Sequence, residues 1–420
     1  MRRVYMDANA TTPLLPEVFD AMRPYLLEQF GNASSIHFHG QHARSAVDHA
    51  REQVSALLNC RPAEIVFTSG GTEGDNLSIF GLMRPGDHLI TTSIEHHAVL
   101  HTAERLRDRG FDVTFLPVNS AGVVDPEEVR RALRPNTRLV SVMMANNETG
   151  AIQPVAEIGR IAAAADVYFH TDAVQAAGKL LIDVKKIGCD LLTITGHKMY
   201  APQGVGALFV RRGTQLEPLF YGGSHERQRR AGTENLAGIV ALGKAAEIAA
   251  ADLGVPGLAA AGLAIPGLAI PGLSKERPQA LAILRDRLEQ GILNLVDEAG
   301  INGVDPSGHP APRVPNTTNL WFDHVEAEAL LIALDLKGLA VSGGSACQSG
   351  ATEPSHVLTA MGLSPARARA SLRFSLTRHA TGSDVDFAIG IVPAAVARLR
   401  ELSPVYARRT SAIAEFTTAQ

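Results

Sequence analysis

The chain has 420 residues, of which 45% are apolar, and a formal net charge of −4 at pH 7. This length and apolar fraction predict a globular protein with a large core and two domains. The small negative charge argues against general nucleic-acid binding. Its three scattered cysteines, Cys60, Cys189 and Cys347, are too few for a disulfide framework and fit a reducing compartment. Because no apolar secretory segment precedes the acidic Asp7, we expect a cytoplasmic protein.

Short β-branched runs alternate with helical segments through the first half of the chain. The predicted strands are 64–68, 88–92, 112–115, 139–143, 167–170, 191–194 and 205–210. Several of them are apolar on both faces, as expected for strands that helices cover on either side. The alternation therefore predicts an α/β fold with a mostly parallel mixed sheet covered by helices, for example by a helix over 155–164.

The pattern changes in the last third of the chain, where a smaller α+β domain is predicted. Its elements are a helix over 278–298, a strand over 318–322, a helix over 326–334, a strand over 371–375 and a closing helix over 384–399. We expect the division to be a large domain over 15–250, a small domain formed by 1–14 and 275–402, and a tail over 403–420.

An uncharged low-complexity insert separates the two predicted domains over residues 253–274. It carries Pro256, Pro266 and Pro271, and its glycines recur every five residues. Repeated Pro-Gly interrupts helical hydrogen bonding, and lipid cannot replace the lost bonds. A surface insert is therefore favoured over a membrane-spanning helix.

Polar clusters follow three of the predicted strands, at the edge where ligands gather in parallel sheets. The small-residue turn 69–76 opens a helix, and its N–H groups could bind a phosphate or simply form a helix cap. Asp172 follows one strand and Lys198 follows the next, so both can lie at the same sheet edge. There a lysine can form a Schiff base with the aldehyde of pyridoxal phosphate while a carboxylate pairs with its ring nitrogen. The alternative is two unrelated surface side chains.

Cys347 is a candidate nucleophile and lies in the glycine-flanked segment 342–350. Small residues around a cysteine let it move and stay partly exposed, as a nucleophile requires. For an isolated motif, an ordinary turn that contains a cysteine is an equal alternative. The thiol and the lysine together predict two-part covalent chemistry, in which the lysine holds a cofactor and the thiol attacks.

Taken together, the motifs from Asp7–Pro13 to Arg373–Leu376 resemble those of the cysteine desulfurases, fold-type-I pyridoxal-phosphate enzymes of the class V aminotransferase family. The resemblance covers nearly the whole chain except the insert and the last twenty or so residues. It implies a large cofactor-binding domain and removal of sulfur from L-cysteine, with L-alanine and a persulfide on Cys347 as products.

The resemblance also implies a role for each residue of the cofactor site. Lys198 would bind pyridoxal 5′-phosphate covalently, Asp172 would pair with its ring nitrogen, and Gln175 would hydrogen-bond its phenolic oxygen. His96 would stack on the ring and shuttle protons, although a lone histidine is more often structural. The phosphate ligands would be Gly71, Thr72, Thr195 and His197, together with Thr233 from the neighbouring subunit of a homodimer.

Substrate binding and sulfur delivery are implied in the same way. Asn147 and Arg373 would hold the substrate carboxylate, since a guanidinium meets a carboxylate with two parallel hydrogen bonds; a buried structural pair of Arg373 with an aspartate is the alternative. The length of the segment 342–354 resembles that of the longer-loop group of the family, which serves iron–sulfur cluster assembly and transfer-RNA thiolation. A sulfur-acceptor or scaffold protein is therefore an expected partner.

Three other functions compete with this interpretation. A selenocysteine lyase would share nearly every motif, and a desulfhydrase or aminotransferase would not need Cys347 and would yield a keto acid. A non-catalytic assembly scaffold would be expected to have lost Lys198 or Cys347, and both are present. The histidines of segment 37–42 lack a cysteine or carboxylate at ligand spacing, so no metal site is predicted.

Overall fold

The computed structural model of the chain describes residues 2–255, 276–343, 354–403 and 406. Its strands up to residue 210 are β1 (Val4–Tyr5), β2 (Ile65–Thr68), β3 (His88–Thr92), β4 (Asp112–Leu116), β5 (Thr137–Ser141), β6 (Tyr168–Asp172), β7 (Leu191–Thr195) and β8 (Gly206–Val210). All except β1 form one sheet in the order β2-β8-β7-β6-β5-β3-β4. The pairs from β4 to β7 are parallel, and β8 is antiparallel to both of its neighbours. The predicted mostly parallel mixed sheet is confirmed.

Helices cover both faces of this sheet. They are α1 (Pro16–Leu27), α2 (Phe38–Leu58), α3 (Gly71–Phe80), α4 (His97–Asp108), α5 (Pro126–Ala132), α6 (Val155–Ala164), α7 (Val184–Ile187) and α8 (Leu236–Asp252). Successive residues of β2 face opposite sides, so Ile65 and Phe67 join a core cluster with α2, α6 and α8, whereas Val66 joins a second cluster with α3 and α4. Strands buried on both faces are rich in apolar residues, which explains continuous apolar runs such as Gly206–Val210.

A second, antiparallel sheet forms in the last third of the chain. The strands there are β9 (Ala299–Ile301), β10 (Thr317–Phe322), β11 (Leu339–Ala340), β12 (Ser342–Gly343) and β13 (Ser371–Ser375). The helices are α9 (Glu276–Leu293), α10 (Ala327–Leu336), α11 (His356–Ala360), α12 (Pro365–Arg369) and α13 (Gly382–Leu402). The sheet order is β12-β13-β10-β9. The helix predicted over 278–298 ends at Leu293, because the chain turns over 294–298, with Glu298 at φ 50°, before residues 299–301 pair with β10 as an edge strand.

The N-terminal segment connects the two sheets. β1 pairs in parallel with β11, and Asp7 forms a bridge with Ser375 at the end of β13. A few residues later the Thr12 N–H donates to the carbonyl of His197, which follows β7 of the large sheet. The first twelve residues therefore run from the small sheet to the edge of the large one, although the domain boundaries given above stay a prediction.

Several sequence predictions fall on segments that the structure does not describe. Cys347 lies outside the described residues, as do most of the insert 253–274 and most of the tail 403–420. In the described part of the chain, no helix is both long and apolar enough to cross a membrane.

Candidate active site

A cavity of about 300 Å³ lies where β3, β5, β6 and β7 reach their carboxyl ends. Because these strands are parallel, the residues that follow them meet at one edge of the sheet. The predicted site residues that line the cavity are Gly71, Thr72, His96, Asn147, Asp172, Gln175, Thr195, His197, Lys198 and Arg373. Asn9, Asp75 and Glu148 line it too, and the sequence interpretation gave them no role.

The turn between β2 and α3 forms one wall of the cavity. A Cβ atom on Gly71 would lie 2.9 Å from Cγ2 of Val174, and one on Gly206 would lie 2.8 Å from Cα of Gly70, so both positions require glycine. The close approach brings the first turn of α3 to the cavity, with Thr72 in its lining. Unpaired N–H groups at a helix N-terminus attract anions.

Lys198 lies in a single 3-10 turn, Gly196–Lys198, directly after β7. Its Nζ donates to the backbone carbonyls of Asn9 and Ala10, at 2.5 Å each. The N-terminal segment is held there by the Thr12 hydroxyl and N–H, which both donate to the His197 carbonyl. Residues 9–12 thus form part of the lysine site, which no local sequence pattern indicates.

Asp172 ends β6 as a buried carboxylate. Its Oδ1 accepts a hydrogen bond from the Val174 N–H at 2.8 Å. Burial raises the pKa of Asp172 to about 8, and the charge of nearby Asp75 is the second cause of this rise. Asp75 is itself buried, which raises its pKa to about 7, and its Oδ1 lies 3.5 Å from Nε2 of His170. Among the described residues no lysine or arginine forms a salt bridge with Asp172, and the charge of Lys198 lowers its pKa only to a smaller extent.

Histidines cap two of the helices. His96 precedes α4, and its Nδ1 accepts from the Ala98 N–H at 3.1 Å, so the neutral ring carries its proton on Nε2. Burial, followed by the nearby His97 and Lys198, lowers the pKa of His96 to about 4. His96 therefore has a structural role as a cap and also lines the cavity. His37, within the segment 37–42, caps α2 in the same way through Gly40.

Arg373 on β13 closes the cavity from the small sheet. It is 2% exposed, and its Nη2 donates to Oδ1 of Asp7 at 2.7 Å while Nη1 donates to the Asn147 carbonyl at 3.0 Å. The structure therefore contains the buried pair of Arg373 with an aspartate that is the alternative to substrate binding. Its Nε is buried without a hydrogen-bond partner among the described residues. Since Arg373 still lines the cavity, its role in binding a substrate carboxylate stays a prediction.

Glu148 is a buried carboxyl in the same wall. Burial raises its pKa to about 7, and its Oε2 accepts from the Ser355 hydroxyl at 2.6 Å. Ser355 is also the N-cap of α11, where its Oγ accepts from the Leu358 N–H. Thr233, in contrast, is exposed and lies outside the lining of this cavity. The sequence interpretation assigned Thr233 to a neighbouring subunit, and that stays a prediction.

Comparison with known proteins agrees with this site. Residues 4–260 and 280–387 match the family described as Aminotransferase class-V. The chain belongs to this family. A cysteine desulfurase IscS from Methanosarcina thermophila is 47% identical over 408 residues, which cover 96% of this chain and 94% of the relative. A second IscS, from Dictyoglomus turgidum, is 44% identical with coverages of 96% and 97%.

Solved structures give the same result. A NifS-like protein is 34% identical and superposes with a TM-score of 0.81, covering 94% of this chain and 99% of its own. A structure of SspA in complex with cysteine is 36% identical with a TM-score of 0.74, covering 90% of this chain and 99% of its own. These comparisons confirm the resemblance seen in the sequence, and this class-V aminotransferase family member is a cysteine desulfurase.

Proposed function

We propose that this cysteine desulfurase binds pyridoxal 5′-phosphate in the cavity described above and transfers sulfur from L-cysteine to Cys347. The observation that carries the proposal is the convergence of a lysine, a buried carboxylate and a helix N-terminus on one cavity: Lys198, Asp172 and the first turn of α3. Each of these matches a different part of the cofactor: the aldehyde, the ring nitrogen and the phosphate.

The residues present fit the cofactor on two observations. Asp172 is a buried carboxylate without a salt-bridge partner in the described structure, and a protonated ring nitrogen would supply one. The Gly71 cradle admits no Cβ and opens the N-terminus of α3 to an anion. Thr72, Thr195 and His197 add side-chain donors for the phosphate, and Gln175 is an amide donor for the phenolic oxygen.

When bound, the cofactor supplies an electron sink that weakens the bonds at Cα and Cβ of the substrate. The protein residues bind and orient the cofactor and the substrate. Asp172 stabilises positive charge at the ring nitrogen, and Arg373 with Asn147 binds the substrate carboxylate. His96 stays neutral near pH 7 because its pKa is about 4, so it presents an Nε2–H donor to the cavity.

The sulfur transfer conserves atoms and electrons. The Cys347 sulfur bonds to the substrate sulfur as the substrate Cβ–S bond breaks, and Cβ takes up a proton. L-cysteine and a protein thiol thus give L-alanine and a protein persulfide, and a further thiol or an acceptor protein then takes the terminal sulfur. The IscS relatives support a role in sulfur transfer, and we propose that a sulfur acceptor of iron–sulfur cluster assembly is the partner.

A homodimer is part of the proposal, with Thr233 of each chain reaching the phosphate of the other. Large apolar side chains between α1 and the start of α2 support it, because they are strongly exposed in a single chain. Examples are Phe30 at 64%, Ile36 at 93% and Phe38 at 68%. Clustered apolar exposure of this kind is typical of protein interfaces. We also propose a cytoplasmic location, which the free thiols of Cys60 and Cys189 support.

The test is to supply the purified chain, loaded with pyridoxal 5′-phosphate, with L-cysteine and a reductant. Sulfide, alanine and pyruvate are then quantified for wild type and Cys347→Ala, with Cys60→Ala as a matched cysteine control. Equal amounts of sulfide and alanine, lost in Cys347→Ala and kept in Cys60→Ala, are expected. Pyruvate as the main product, or full activity in Cys347→Ala, would overturn the proposal in favour of an elimination reaction.

A further inference from the structure

Lys179 is a lysine of the cavity region that neither the motifs nor the proposed function accounts for. It lies four residues after Gln175, on a turn whose Lys179 N–H donates to the Ala176 carbonyl. The side chain is partly buried, and its Nζ donates to Oε1 of Gln175 at 2.8 Å and to Oδ1 of Asn9 at 3.1 Å. Both acceptors are themselves buried, at 5% and 2% exposure.

Stability alone does not explain a lysine at this position. In the described part of the chain, no carboxylate forms a salt bridge with Lys179, and burial, with Lys198 and Arg373 nearby, lowers its pKa to about 7. An ammonium group withdrawn from water without a carboxylate partner is destabilising relative to an apolar side chain of similar length. What the lysine supplies instead is a pair of N–H donors, and both its charged and its neutral form carry them.

The two bonds fix the orientation of two side-chain amides. A lysine donor has to face an oxygen, so Oε1 of Gln175 points to Lys179 and Nε2 is left to donate to the Asn9 carbonyl at 3.0 Å and to the cavity. For the same reason Oδ1 of Asn9 faces Lys179, and its Nδ2 donates to the Asn147 carbonyl. The Asn9 carbonyl that receives Gln175 also receives Lys198.

We propose that Lys179 is a positioning residue that holds the Gln175 amide with its N–H donors towards the bound cofactor and ties Gln175 to the Asn9 segment on which Lys198 rests. The inference rests on the proposed function, because without the cofactor the Gln175 amide donates only to the Asn9 carbonyl. Lys179 acts through Gln175 and need not touch the cofactor itself. Its contribution therefore depends on the presence of the Gln175 amide.

The test is a double-mutant cycle on the full-length chain freed of cofactor. Wild type, Lys179→Met, Gln175→Met and the double variant are titrated with pyridoxal 5′-phosphate, and both the affinity and the visible absorption maximum of the bound cofactor are recorded. Lys186→Met, an exposed lysine seven positions along the chain, is the matched control. Lys179→Met is expected to weaken binding about fivefold and to shift the absorption maximum in the same direction as Gln175→Met. Lys186→Met changes neither quantity.

The double variant decides whether Lys179 acts through Gln175. Its affinity is expected to equal that of Gln175→Met, because the remaining bond of Lys179 to Asn9 orients no donor towards the cofactor. The inference would be overturned if the losses of affinity from the two single substitutions added up in the double variant. It would also be overturned if Lys179→Met bound the cofactor as wild type does. A wild type that binds no pyridoxal 5′-phosphate would instead overturn the proposed function.

Melting temperatures of the cofactor-free variants separate positioning from a structural role. Lys179→Met is expected to melt at or above the wild-type temperature, since it removes a partly buried ammonium group that has no salt-bridge partner, whereas a structural lysine would lower it. If Lys179→Met fails to fold, Lys179→Gln takes its place in the same cycle because it keeps an N–H donor. That variant is expected to bind the cofactor within about twofold of wild type, and a folded Lys179→Gln that binds as weakly as Gln175→Met would also refute the inference.

Discussion

Arg373 and Asp7 form an ion pair across the wall of the active-site cavity, with Nη2 of the arginine 2.7 Å from Oδ1 of the aspartate. The pair joins β13 of the small sheet to the N-terminal segment that carries Asn9. The arginine thus has two possible tasks, to hold the N-terminal segment and to bind a substrate carboxylate. The geometry of the pair allows these tasks to be separated by substitution.

The first prediction separates structure from substrate binding at this pair. Asp7→Asn leaves the buried guanidinium without its counter-charge and is expected to lower the free energy of unfolding by about 3 kcal/mol, with less than a threefold change in KM for L-cysteine. Arg373→Lys loses the planar fork and is expected to raise KM about tenfold or more. Urea unfolding and steady-state kinetics measure both quantities.

The control for this prediction is Asp48→Asn, which breaks the exposed pair of Asp48 with Arg44 and should cost less than about 0.5 kcal/mol. An equal rise in KM for Asp7→Asn and Arg373→Lys would show that Arg373 acts only by holding the N-terminal segment.

The second prediction concerns the pH dependence of stability. The pKa of Asp172 is about 8 in the folded, cofactor-free protein, against an ordinary value of 3.8. Between these values the folded state binds more protons at this site than the unfolded chain, so the stabilising protonation is lost as the pH rises. Asp172→Asn removes this loss and is expected to melt above wild type in the cofactor-free form, by more at pH 8 than at pH 5.5.

Melting curves at the two pH values check this prediction, with the exposed Asp108→Asn as a variant whose difference from wild type should not depend on pH. The same Asp172→Asn variant should bind pyridoxal 5′-phosphate more weakly, since the ring nitrogen loses its counter-charge. A variant that melts below wild type at pH 8 would contradict the assignment of Asp172 as an uncompensated carboxylate.

The third prediction concerns His96, which caps α4 and lines the cavity. Asparagine is also a favourable N-cap, so His96→Asn should keep the melting temperature close to that of wild type while kcat falls about a hundredfold or more. His101→Asn, exposed on the same helix, should leave kcat unchanged. If His96→Asn instead retains kcat and affects only stability, the histidine is a cap and nothing more.

The fourth prediction compares two serine N-caps that differ in one contact. Ser355 and Ser364 each accept a backbone N–H at the start of a short helix, but only Ser355 also donates to the buried Glu148. Ser364→Ala should therefore cost about 1 kcal/mol and Ser355→Ala about 2–3 kcal/mol. Chemical denaturation of both variants provides the measurement, and equal losses would mean that the bond to Glu148 contributes nothing to stability.

The central sheet and the pairing of Asp172 with Lys198 at one edge could be predicted from the sequence, because both follow from local patterns. β6 and β7 are parallel and adjacent, so the residues at and after their carboxyl ends lie close together. The cofactor and the desulfurase activity could be predicted only because several motifs occur in the order typical of a known family. The predicted end of α9 was wrong because the chain needs the turn over 294–298 to bring Ala299–Ile301 beside β10.

Other parts of the site could not be predicted because their partners lie far away in the sequence. Asn9 contacts residues 147, 175, 179, 198, 316 and 317, and only tertiary structure brings these together. The Arg373–Asp7 pair spans 366 positions, so the sequence alone allows both a structural ion pair and a substrate-binding arginine. Asp75 and Glu148 stand in recognised motifs, but an acidic residue in a sequence does not disclose that it is buried.

The course of the N-terminal segment has a consequence for synthesis of the chain. Val4 and Asp7 pair with residues near 339 and 375, so these contacts form only after residue 375 has left the ribosome. The strands of the seven-stranded sheet all come from the first 210 positions and can assemble earlier. The segment that supports Lys198 therefore stays unpaired with the small sheet until then, and a nascent desulfurase cannot complete its site before Arg373 has emerged.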